Sequence, residues 1–135
     1  MKWLTDDGGK LVLRLMVGGL LILHGFHKLV HGPGEVAGML TAHGIPGFLA
    51  WGVYLGEVVG PALILLGVYA RIGGLLVLAS MVVAVLVTHG LNIFHINEYG
   101  GLGIELEVFY GIGGLCIAML GAGAYSAGGS GGKFN

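Results

Sequence analysis

On a helix of about 3.6 residues per turn, His24, Lys28 and His31 fall at i, i+4 and i+7 with His27 beside them, so an otherwise apolar segment carries one polar stripe. Arg14 lies on nearly the same stripe, closer to the N-terminus. Glu57 stands about halfway along a second apolar segment, His89 near the end of a third, and Glu105 and Glu107 open a fourth. A charge in hydrocarbon costs of order 2.5–3.5 kcal/mol even on the lenient insertion scale, so such groups pair, face a bundle interior or do chemistry. The chemistry open to this set is proton transfer, with an imidazole and an ammonium as donors and a carboxylate as the titratable acceptor. His24, Lys28 and Glu57 are the candidate catalytic groups, and His24, Glu57, His89 and Glu105 the candidate ligand-binding groups. Glu105 and Glu107 are about 200° apart on a helix, so only one of them faces inward. Glu105 is assigned to the site, and Glu107 to the helix macrodipole.

Two other chemistries are open to the histidines. His27 and His31 have the i, i+4 spacing that sets two imidazoles on one helix face, which makes them weak metal candidates, because no HExxH motif or fixed third ligand accompanies them. His24 and His89 are the pair that would hold a haem b across a helix bundle, a less favoured reading. Cys116 is the only cysteine and lies inside an apolar run, which excludes an intrachain disulfide and a cysteine metal cluster and leaves a packing role.

The elements that must position these groups are membrane helices. The 135 residues are 56% hydrophobic and only 10% charged, with a mean hydropathy of +0.92, against about 25% charged in soluble domains. Four apolar stretches, at about residues 11–30, 48–69, 72–91 and 108–124, each approach the ~20 residues that cross ~30 Å of hydrocarbon, the last being short. None alternates polar and apolar residues as a membrane barrel strand does. The expected fold is therefore all-α, an integral membrane four-helix bundle of up-down topology over residues 1–127. Residues 35–43 read as a short interfacial helix between the first and second spans, bounded by Gly32-Pro33-Gly34 and by Gly44 and Pro46. Gly52, Gly56 and Gly60 form a small-xxx-small ladder that lets helices approach closely. Residues 92–103 read as a flexible cap, and residues 128–135 as a flexible Gly/Ser tail.

Lys2, Lys10, Arg14, Arg71 and Lys133 collect on one side of such a bundle and only Lys28 on the other, so both termini are expected in the cytoplasm, in a bacterial inner membrane. Arg71 is then a topology-setting charge, and Trp3, Trp51 and Tyr54 are interfacial belt residues. The first span keeps Arg14 and runs past Lys28 without a small-residue cleavage site, which reads as a retained helix and not a cleaved signal. A net charge of −1 with no Lys/Arg cluster excludes a nucleic-acid footprint.

Taken in order, Arg14, His24-Gly25-x-x-Lys28, Glu57 in a Gly-rich helix, Gly67-x-x-x-Arg71, Glu105 and Gly121-x-Gly123-x-x-Ser126 resemble the DoxX family of small four-helix bacterial membrane proteins. The resemblance covers nearly the whole chain and implies an oxidoreductase role, in the same broad group as the membrane subunit of thiosulfate:quinone oxidoreductase. Where the family commonly carries an Asp two residues after the Ser, this chain has Gly128. The first functional expectation is a redox subunit that binds a quinone or small ligand in the outer half of the bundle. No flavin or nicotinamide fingerprint is present, so electrons must come from a redox partner protein or from the substrate. The second is a non-catalytic anchor or assembly subunit that docks a partner, and a homo-oligomer is compatible with either. The orientation is checked by cysteine labelling: Glu35→Cys and Asn97→Cys should react with an impermeant reagent from outside, whereas Arg71→Cys and Lys133→Cys should not, and labelling of position 71 would invert the topology.

Overall fold

A computed structural model describes residues 4–135. Lys2 and Trp3, read above as a topology charge and a belt residue, lie outside the described residues. The described chain is all-α, with five helical elements: α1 (Asp6–His31), α2 (Gly34–Ala42), α3 (Gly47–Leu66), α4 (Ala70–Thr88) and α5 (Glu105–Leu120). Three of them, α1, α3 and α4, are long and apolar enough to cross a membrane. α5 has 16 residues, about 24 Å at 1.5 Å per residue, short of a ~30 Å hydrocarbon core.

Local chemistry sets the helix ends. α1 starts earlier than its apolar run because Thr5 caps it, its hydroxyl accepting the Gly8 N–H, with Asp6 and Asp7 in the first turn. α3 stops at Gly67, whose φ of 68° is the left-handed conformation of a helix C-terminus. The Val68 N–H there returns to the Leu63 carbonyl, the six-to-one bond of a Schellman end. α2 lies between Gly32 and Gly44, both with positive φ.

α3 is not a uniform helix. It opens with a 3-10 segment, Gly47–Gly52, passes through a π turn, Leu55–Val59, and becomes α-helical from Gly60. The Gly60 N–H bonds to the Leu55 carbonyl, five residues back. Pro61 has no N–H with which to bond the Glu57 carbonyl four residues back, so the α-helical ladder is interrupted at that carbonyl.

α1 reaches α3 at this point. A Cβ on Gly25 would collide with the Glu57 carbonyl oxygen and sit 2.8 Å from Val58 Cγ2. The other crossings are also made by small residues. On Gly73 of α4 a Cβ would come 2.8 Å from the Gly60 carbonyl of α3, and on Gly114 of α5 one would come 2.6 Å from the Gly74 carbonyl of α4. Of the expected glycine ladder, Gly56 and Gly60 pack on α4, while Gly52 meets nothing within 4 Å. Val17, Leu21, Ile64, Val77, Met81, Tyr110 and Ile117 form the buried core between these helices.

The end of the molecule near the chain termini is closed by backbone carbonyls and arginines. Arg14, 1% exposed, donates from Nε to the Ile64 carbonyl (2.8 Å), from Nη2 to Leu65 (2.9 Å), and from Nη1 to Ala122 (3.1 Å) and Tyr125 (2.8 Å). Arg71 donates to the carbonyls of Ala118 (2.8 Å) and Met119 (2.7 Å) at the end of α5. The last carbonyls of a helix lack intrahelical partners and carry partial negative charge, so a guanidinium suits them. Arg14 is thereby a clamp between α1, α3 and the segment after α5, and is not the cation of Glu57.

Where a free coil is expected for residues 128–135, the chain folds back. The Gly128 N–H bonds the Gly67 carbonyl, and the buried Asn135 accepts the Ala70 N–H at its side-chain oxygen. The free N–H groups at the start of α4 supply partners that composition does not reveal. The loop after α4 is also shaped, by a bridge between Ile96 and Leu102 and by Asn97, whose side chain accepts the Tyr99 and Gly101 N–H groups.

The α1–α3 contact yields a test. Gly25→Val should lower thermal stability in detergent by several kcal/mol, the range of overpacking and backbone strain, whereas Gly19→Val, where a Cβ meets nothing within 4 Å, should change it by less than about 0.5 kcal/mol.

Candidate functional site

The π turn directs the Glu57 side chain toward α1, where Gly25 clears the approach and Lys28 follows three residues later on a neighbouring part of the helix face. Lys28 Nζ donates to both Glu57 carboxylate oxygens at 2.7 Å. The Glu57 side chain is 7% exposed and that of Lys28 is 28% exposed. Tyr54, one turn before Glu57, donates its hydroxyl to the Lys28 carbonyl at 2.9 Å and ties α3 to the C-terminal end of α1.

This ion pair stands in the wall of a cavity of about 600 Å³ to which all five helices contribute. Most of the lining is apolar: Leu21, Val36, Met39, Leu40, Leu76 and Met81 are among its residues. Its polar groups are few: His24, Lys28, Glu35, Glu57, Ser80, Thr88, Glu107 and Tyr110. A mostly apolar cavity of 300–1,000 Å³ with a few convergent polar groups is the usual form of a small-molecule site.

The expected site residues divide. His24, Lys28 and Glu57 all line the cavity. The His24 ring lies edge-on to Tyr110 of α5, with centroids 5.9 Å apart, and its Nδ1 is 3.3 Å from the Leu20 carbonyl. Glu105 is displaced: it is exposed and borders a separate groove of about 310 Å³ between α1 and α5, with Met16, Leu20 and Phe109. Glu107, not Glu105, is the α5 carboxylate that lines the cavity. The correction has a simple cause, since Glu107 lies three residues before the buried Tyr110 and so shares its inward face. That i, i+3 pair is the sequence signal that locates it. His89, at the C-terminal cap of α4, does not line the cavity but places Nε2 3.9 Å from the Glu107 carboxylate, an ion pair when the imidazole is protonated.

His27 and His31 stack on one another at 4.1 Å on an exposed face of α1. No group of three His, Cys, Asp or Glu that could hold a metal is found among the described residues. His24 meets Tyr110 of α5, and His89 meets Glu107. Ser80, Glu35 and Tyr110 are cavity residues that the spacing of charges leaves unmarked.

The fold and cavity thus define, over the described residues, an all-α membrane protein with the Lys28–Glu57 ion pair in the wall of an apolar cavity. The family description named DoxX matches residues 9–90, more than half of the chain, and the chain belongs to the DoxX family. No curated protein and no solved structure matches it.

The unequal burial of the pair predicts an asymmetric response to substitution. Lys28→Met leaves the deeply buried Glu57 uncompensated and should cost about 3–5 kcal/mol. Glu57→Leu leaves a lysine whose flexible stem can carry its ammonium to water, and should cost less. The double variant should recover most of the Lys28→Met loss, a coupling read from a double-mutant cycle of unfolding in detergent. Equal losses for the two single variants would refute the asymmetry.

Proposed function

We propose that this chain is the quinone-binding membrane subunit of an oxidoreductase system, with the cavity bounded by Lys28 and Glu57 as the quinone site. The observation that carries the reading is the ion pair itself: a donor of hydrogen bonds and a titratable carboxylate held together in the wall of an apolar cavity. A quinone ring and its isoprenoid chain need apolar lining, while its carbonyl oxygens need hydrogen-bond donors and, on reduction, protons. Lys28 serves as the hydrogen-bond donor to one carbonyl oxygen and Glu57 as the group that gains and loses the proton, with His24 beside them. In this reading the electrons come from a partner protein or from the substrate itself.

In this reading α5 is the fourth span of an up-down bundle, both termini are cytoplasmic, and the cavity lies in the outer half of a bacterial inner membrane. The antiparallel neighbours Gly25 with Glu57, Gly60 with Gly73, and Gly74 with Gly114 support the arrangement. The basic side chains of Lys10, Arg14, Arg71 and Lys133 support the orientation.

Organic extraction of the purified protein should yield bound quinone. Decylubiquinone should quench its tryptophan fluorescence saturably, and Glu57→Gln and Lys28→Met should each weaken this binding by at least tenfold, about 1.4 kcal/mol. A folded protein that neither retains quinone nor binds decylubiquinone would replace this reading with that of a non-catalytic anchor for a partner protein.

A further inference from the structure

We infer that Glu107 and His89 form a second proton-delivering group on the side of the cavity away from Glu57, supplying the proton for the other quinone oxygen. The inference rests on the quinone reading above. Reduction of a quinone to a quinol takes two electrons, here from a partner bearing a reduced flavin or dithiol, and two protons, one to each carbonyl oxygen. These oxygens lie at opposite ends of the ring, so a single pole at Lys28 and Glu57 serves only one of them directly.

A second carboxylate, Glu107, lines the cavity from a different helix. Glu57 comes from α3 and Glu107 from α5, and these two helices each pack on α1 and α4 around the cavity. The Glu107 side chain, 23% exposed, has His89 Nε2 3.9 Å from its carboxylate. His89 in turn lies beside the loop before α5. A Cβ on Gly103 would be 3.7 Å from the His89 ring and 3.6 Å from the ring of the exposed His95. His89 and the exposed His95 thus flank Gly103, and of the two His89 reaches Glu107 at the cavity wall. Imidazoles exchange protons near neutral pH, and carboxylate–histidine chains carry protons in membrane proteins. The other titratable groups facing this region are His24 and Lys28 of α1, Glu35 of α2, Glu57 of α3 and Tyr110 of α5. Lys28, which holds Glu57, and His24, one turn before it on α1, belong to the first pole. The proton passes from the protonated His89 imidazole, through a water that bridges the 3.9 Å separation, to the Glu107 carboxylate and from there to the reduced carbonyl oxygen, after which His89 is reprotonated from solvent.

The test uses the full chain in detergent, loaded with decylubiquinone, with an electrode supplying the electrons and infrared difference spectra reporting protonation. Reduction should change a carboxyl C=O signal that is lost in Glu107→Gln, retained in Glu105→Gln and shifted in Glu107→Asp. His89→Gln should slow proton uptake at neutral pH about tenfold, with the slowing relieved at lower pH, while decylubiquinone affinity stays within twofold of the unmodified protein. An unchanged carboxyl signal in quinone-loaded Glu107→Gln, or unchanged proton uptake in His89→Gln, would overturn the relay and leave the quinone site standing. Failure of the unmodified protein to bind decylubiquinone would overturn both. Should Glu107→Gln not fold, Glu107→Asp carries the test: an unshifted carboxyl signal in that variant overturns the assignment.

Discussion

The contact between Gly25 of α1 and the Glu57 carbonyl of α3 is the constraint on which the rest depends. Pro61 removes the amide that an α-helix would direct at this carbonyl, and the chain answers with a π turn over Leu55–Val59. Only a residue without a Cβ lets α1 lie against that irregular backbone. The same approach brings Lys28 within hydrogen-bond distance of both Glu57 oxygens. Helix irregularity, close packing and ion pairing thus meet at one point of the structure.

The ionisable groups within the apolar helices fall into two sets with different physics. Arg14 and Arg71 are surrounded by carbonyl oxygens at helix ends, with six hydrogen bonds between them. A guanidinium keeps its proton under all physiological conditions, so it serves as a fixed cap and has no proton to exchange. Lys28, Glu57, Glu107 and His89 are paired with side chains around a cavity and have side-chain chemistry that can exchange protons. The fixed charges hold the ends of α3 and α5, which frees the other half of the molecule to enclose space. Gly67, Gly121, Gly123 and Ser126 belong to the first set: Ser126 donates to the Gly123 carbonyl, and a side chain on Gly67 would strike Arg14 and Ser126.

Much of this was legible in the sequence. Apolar length locates three spans and charge depletion the membrane, because in hydrocarbon every backbone group must be satisfied within the helix. Cost demands a cation beside Glu57 but leaves Lys28 and Arg14 both open, and packing decides for Lys28. Periodicity does not reveal the π turn, which shifts the register of every residue after Tyr54, nor the folding of residues 128–135 onto the starts and ends of other helices. A helix wheel fixes only the angle between Glu105 and Glu107. Which of them faces inward is settled by Tyr110, whose burial depends on the packing of α5 against α1 and α4.

The DoxX match ends at residue 90, so it includes Arg14, His24, Lys28, Glu57, Arg71 and His89 but not Glu107 or Tyr110. The ion pair therefore lies inside the matched region, whereas the opposing wall of the cavity is built by the helix after it. A cavity whose two polar walls come from separate parts of the chain can keep one chemistry fixed while the other varies. Substitutions on the inward face of α5 alter what meets the far end of a ligand without disturbing the Gly25–Glu57 contact. Substitution of Gly25 disturbs helix packing, and substitution of Lys28 or Glu57 alone unbalances the buried charge.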